Sequence, residues 1–148
     1  MLISAVLLAS ATIFGIKAGD SAQAAMERLR GAGMTIRRYD SSGPLETFWI
    51  SSTSNEVIGS LGTCKGLIYS VHSDAGQFDN FVRLLRARTD QLGSPKLSFK
   101  NVPVVNSSRN FDQMVFTWPA ANYQMELMLD TKPFGSQSST VEGAVCRN

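Results

Sequence analysis

The sequence predicts an α+β domain: two helices packed on one face of a mainly antiparallel sheet. Three observations carry this. Two segments, one beginning near residue 20 and one ending at Leu92, repeat apolar residues at helical spacing. Each is followed by short β-branched or alternating runs separated by turn residues, the pattern of hairpins. That order, helix and then strands, occurs twice, with helix starts at Asp20 and Asp74, so a loose duplication of one helix-plus-strands unit is a further reading. At 148 residues, 43% apolar and only 18% charged, the chain can bury one core, and residues 12–148 are expected to form a single domain.

The elements follow in order. "MLISAVLLASA" (1–11) carries no charge and ends in Ala9-Ser10-Ala11, the small-x-small pattern cut by signal peptidase, so a signal peptide is expected. It lacks the usual Lys/Arg n-region, as a truncated leader would. A second such site, Ala22-Gln23-Ala24, would cut into a helix, which favours cleavage before Thr12. The alternative is an apolar N-terminal strand of a cytosolic domain. "TIFGIKAG" reads as a short strand. In "DSAQAAMERLRGAG", Asp20 can cap a helix, Gln23 completes a capping box, and Ala22, Ala25, Met26 and Leu29 form its apolar face. "MTIRRY" and "LETFWIS" flank the turn cluster "DSSGP" as a hairpin. "NEVIGSLG" is open between strand and loop, and "TCKGLIYSVH" reads as one strand.

From Asp74 to Leu92 runs the second helix, with Phe78, Phe81, Val82, Leu85 and Leu92 on one stripe and Asp79/Arg83 and Arg86/Asp90 outside; Gly93 and Pro95 end it. "KLSFKNVPVV" is an extended segment broken by Pro103. "FDQMVFTW" and "YQMELMLD" form a pair around "PAAN", and the latter alternates Tyr123, Met125, Leu127 and Leu129 against polar neighbours. "TKPFGSQSS" reads as a loop and "SSTVEGAVC" as the last strand.

Two cysteines in an exported chain suggest a disulfide, Cys64 to Cys146. It would close a loop of about 80 residues, for which chain entropy gives roughly 4.5 kcal/mol as an upper figure. If the chain stays in the cytosol, both are free buried thiols. Cys64 and the single histidine, His72, invite a nucleophile–base reading, yet on one strand they stand about 26 Å apart. Catalytic partners must approach to about 3 Å. Cys146 could meet His72 only through the fold. The sequence contains no phosphate loop, nucleophile elbow or zinc spacing, and we expect no metal and no cofactor. A net charge of +2 is too small for phosphate-dominated binding, so no nucleic-acid partner is expected, and Arg28, Arg30, Arg37 and Arg38 read as a solvated face. No run after the leader reaches the ~18 apolar residues of a membrane span.

One surface stands out. Alternation places Phe48 and Ile50 on one face of the first hairpin and Trp49 on the other, with Arg37 and Tyr39 opposite Met34 and Ile36. Trp, Tyr and Arg on a solvent-facing sheet are residue types of a protein-binding hot spot. The competing reading makes Trp49 part of a second core layer. Phe134, in a Gly/Ser-rich loop, is a further candidate contact.

"FGIKAGDSAQAAMERLRGAGM" resembles the opening helix, and "FDNFVRLLRARTDQLGSP" the second helix, of small bacterial envelope proteins of the β-lactamase-inhibitor-protein-like and outer-membrane-assembly-lipoprotein type. The resemblance covers about 40 residues. It implies a sheet surface that binds another protein, and it assigns no residue a role. No lipobox cysteine follows the leader. The leading expectation is therefore a periplasmic or secreted, non-enzymatic domain that binds another protein, of the inhibitor, immunity or assembly kind. Behind it stand a small-ligand binder with a pocket between helix and sheet, and an enzyme with a fold-assembled site.

Overall fold

The computed structural model of the chain describes residues 12–74, 76–103, 106–129 and 135–140. Its elements are α1 (Ala22–Gly31), β1 (Thr35–Ser42), β2 (Leu45–Ser51), β3 (Val57–Cys64), β4 (Leu67–Asp74), α2 (Phe78–Leu92), β5 (Lys96–Pro103), β6 (Asn110–Trp118), β7 (Tyr123–Leu129) and β8 (Gly135–Thr140). The strands form one eight-stranded sheet in the order β1-β2-β3-β4-β8-β7-β6-β5, and every neighbouring pair is antiparallel. The architecture is the expected α+β. Each half is a helix followed by a four-stranded meander, and the second half repeats the first with its order reversed about the β4–β8 junction.

Register fixes which residues share a face. One row runs Ile36–Ile50–Gly59–Ser73–Gln137–Met125–Phe116–Leu97 across all eight strands. Side chains from this face, among them Ile50, Leu61, Val71, Tyr123, Met125 and Leu127, join Ala22, Ala25 and Leu29 of α1 and Phe81 of α2 in one core. Both helices therefore cover the same face. Phe81 meets Phe116 at 6.0 Å between ring centroids, and Trp118 meets Tyr123 at 5.4 Å. The Trp118 indole also donates to the Gly93 carbonyl at 2.8 Å, satisfying an acceptor at the end of α2. On α2 the apolar stripe is narrower than its spacing suggests: Phe81 is buried and Leu84, Leu85 and Leu92 pack beside it, whereas Phe78 and Val82 stay exposed.

Several local expectations are corrected. "TIFGIKAG" is not a strand of the sheet. Ile13 and Ile16 exchange two backbone hydrogen bonds of 2.9 Å around a tight turn whose central residues, Phe14 and Gly15, both have positive φ. This turn wedges into the core with Ile13 and Ile16 buried. An arginine from each helix holds it: Arg28 donates to the Gly15 carbonyl at 2.6 Å and Arg88 to the Thr12 carbonyl at 2.7 Å. The cap of α1 is Ser21, whose hydroxyl accepts from Ala24 N, while Asp20 closes a separate turn by accepting from Lys17 N at 3.0 Å.

"TCKGLIYSVH" is a hairpin, not one strand. Lys65 and Gly66, at φ +51 and +79, make a two-residue turn that suits glycine at its second position. Asp74 ends β4, and α2 begins only at Phe78. The last strand begins earlier than expected: Gly135, Ser136 and Gln137, read as loop, join Ser138–Thr140 in β8, which sits inside the sheet between β4 and β7. Residues 141–146 of the expected last strand, with Cys146, lie outside the described residues.

Candidate functional site: the open face of the sheet

The face turned away from both helices carries the row Arg37–Trp49–Ser60–His72–Ser138–Gln124–Thr117–Lys96. None of these eight residues is buried. Arg37 and Trp49 are direct cross-strand partners, a spacing at which side chains interact.

Two β-bulges add aromatics to this face. Along β1 the register slips between Arg38 and Asp40, leaving Tyr39 as the extra residue. Its ring stacks on Trp49 with centroids 4.4 Å apart and planes 18° from parallel, and Tyr39 and Trp49 keep 53% and 39% of their surface exposed. On β4 the register slips between Ser70 and Ile68, and Tyr69 is the extra residue. A Cβ at Gly62 would run into the Tyr69 ring and Ser70 Oγ, so the bare glycine lets that tyrosine lie across β3. The bulge at Tyr69 explains why Ile68 and Val71 both point into the core although three residues apart.

At the centre, His72 and Asp74 face outward from one strand, with Nε2 and Oδ1 3.3 Å apart. Beyond them the second half of the face is a polar ladder. Gln113 and Gln124 each donate to Glu126, at 2.9 and 2.8 Å, and Val115 is buried on the same side. Glu126 is thus spanned by two amides.

Of the residues singled out in the sequence, Arg37, Tyr39 and Trp49 come together, and Phe134 lies outside the described residues. Tyr69 was missed, because alternation cannot reveal a bulge. Cys64 pairs in register with Leu67 at the hairpin end, whereas His72 pairs with Ser60, four residues further down β3. Their separation is about 13 Å along the strand instead of 26 Å, still far beyond hydrogen-bonding reach. Cys64 is buried, and no free cysteine occurs among the described residues. No family model, curated protein or solved structure matches the chain. Among the described residues there is no cluster of three or more metal-ligating side chains, and no helix is long and apolar enough to cross a membrane.

Among the described residues, Tyr123 on the helix side departs from its ordinary titration. Burial raises its phenol above the ordinary value, and the hydrogen bond and charge of Arg88 pull it part of the way back. The Arg88 guanidinium lies 5.0 Å from the centre of that ring.

Proposed function

We propose that this chain is an exported, non-enzymatic domain that binds another protein through the open face of its sheet, as the envelope proteins it resembles do. The observation that carries this reading is the Tyr39–Trp49 stack beside Arg37: two large aromatic rings held rigid by a bulge, with their surfaces left to solvent. Rigid aromatics and arginine lose little entropy when covered, which is why they anchor interfaces. The partner presents an apolar side chain to the stack and a carboxylate toward Arg37.

Export and a Cys64–Cys146 disulfide belong to the same reading. Cleavage after Ala11 keeps every buried residue of the wedge, Ile13 and Ile16 included, whereas cleavage after Ala24 would remove both and the start of α1. The disulfide is within reach. β8 ends at Thr140 opposite Ser70 of β4, and Cys64, on the far side of β4, lies two strands from Thr140 and three residues further along, opposite Leu67. That gap is about 10 Å along the strand and about 10 Å across two strand spacings, roughly 14 Å in all. The six residues from Thr140 to Cys146 extend up to about 20 Å.

A benzoylphenylalanine cross-linker placed in turn at 49, 60 and 86 in the producing cells tests the surface. We expect one shared adduct from positions 49 and 60, weakened by Arg37→Glu, and none from position 86 on the outer side of α2. Equal adducts from all three, or none from 49, overturn the binding face. Intact mass before and after reduction tests export. A chain that starts at Thr12 and gains two hydrogens on reduction supports it, while a retained leader with two alkylatable thiols rejects it.

A further inference from the structure

The two ends of the sheet are built differently, and the difference marks a second interaction surface. β1, at one end, is irregular: its ladder is interrupted by the Tyr39 bulge, and on its helix side Arg38 is tied to Glu46 at 3.0 Å. Bulges and charges of this kind discourage a further strand from adding to an edge. β5, at the other end, keeps unbroken register with β6 from Lys96↔Thr117 to Pro103↔Asn110. Among the described residues it is the terminal strand. On its helix side it exposes Leu97 by 50% and Phe99 by 67%, the largest exposure of any bulky apolar residue described. Phe99 pairs with Met114 and Leu97 with Phe116, so this apolar row continues the core outward past α2, whose Phe78 and Val82 are also exposed.

We propose that β5 is a docking edge that takes an extended segment of a partner chain as a ninth, antiparallel strand. Main-chain hydrogen bonds would supply affinity, and alternate side chains the selectivity. The chemistry of the segment follows from the two sides of β5. Leu97 and Phe99 require apolar residues on the helix side. Lys96 and Lys100, on the open side with Ser98 between them, require acidic residues there, so the segment alternates apolar and acidic positions. The same lysines disfavour a second copy of this chain, because pairing β5 with itself gathers both lysines of each copy on one side of the junction. This edge lies seven strands from β1 and stands whether or not the Trp49 surface has a partner.

The probes are two capped octapeptides, one alternating valine with glutamate and one alternating valine with lysine, titrated into the folded protein. Amide chemical shifts report the location and fluorescence anisotropy the affinity. The glutamate peptide should bind with shifts confined to β5 and β6, at least about tenfold more tightly than the lysine peptide, since each lysine gains a direct cross-strand partner. Phe99→Asp should abolish binding, and Lys96→Glu with Lys100→Glu should invert the preference. These side chains are exposed, so an unchanged melting temperature confirms that each variant is folded. Binding of neither peptide, equal binding of both, or shifts centred on β1 or Trp49 overturn the proposal. So does concentration-dependent dimerisation of the peptide-free protein that Phe99→Asp removes, which would make a second copy the occupant.

Discussion

The two halves of this protein share a plan and differ in what they show to solvent. In the first half, two bulges bring Tyr39 and Tyr69 onto the open face around Trp49, and the outer edge is interrupted. In the second half, the open face is an amide–carboxylate ladder around Glu126, the outer edge is regular, and apolar surface is left exposed on the helix side. A duplicated scaffold can thus carry two distinct surfaces because register, once fixed by the core, leaves the outward positions free to vary. Bulges are the instrument in one half and their absence is the instrument in the other.

That comparison requires the halves to fold as one unit, and the largest expected effect tests this. Ile16 is fully buried in the wedge that both helices hold. Ile16→Ala should cost about 2–5 kcal/mol and lower a single transition in urea. Two separated transitions would mean that the halves are independent. Next is Gly59 on β3, where a Cβ would strike the His72 carbonyl, a backbone atom that cannot step aside. Gly59→Ala should cost about 1–3 kcal/mol in denaturant titration. Gly62→Ala should cost less, because the Tyr69 side chain can move.

Smaller again is the effect of the stack itself: Trp49→Ala should cost about 1 kcal/mol of stability, and Phe99→Ala, on an exposed edge, within about 0.5 kcal/mol of nothing. Equal losses from the two would contradict the distinction drawn between a held aromatic and a free one. The smallest effect is confined to alkaline solution. The Tyr123 phenol is raised in the folded chain, so its contribution is fully present below the unfolded value of about 10 and is lost as pH climbs through the folded value. Melting temperatures should fall above about pH 10, and Tyr123→Phe should flatten that fall.

Much of the sheet was legible wherever one side of a strand is buried. "YQMELML" alternates because Tyr123, Met125 and Leu127 line the core, and "FWI" placed Trp49 outside for the same reason. The Arg37–Tyr39–Trp49 group was legible on that basis too, although the bulge that seats Tyr39 was not. What escaped was structure imposed from a distance. Nothing in "GSQ" favours a strand, and β8 starts at Gly135 instead of Ser138 because β4 and β7 offer it hydrogen-bonding partners on both sides. The Lys65–Gly66 turn was hidden because its flanks, "TC" and "LIYSV", read as one β-rich run. "TIFGI" looked like a strand because an apolar wedge and an apolar strand share a composition; the two helical arginines that hold it lie 13 and 76 residues away from their acceptors.

Acrylamide quenching of tryptophan emission in the partner complex cross-linked through position 60, which leaves Trp49 in place, addresses the binding face most directly. The chain has two tryptophans; Trp118 is buried at 4% exposure, so quenching of the free protein reports Trp49. Binding at the open face should shield Trp49 and lower the quenching constant, with the Tyr39→Ala complex showing a weaker effect. A saturated complex in which Trp49 is quenched as freely as before would place the partner elsewhere on the molecule.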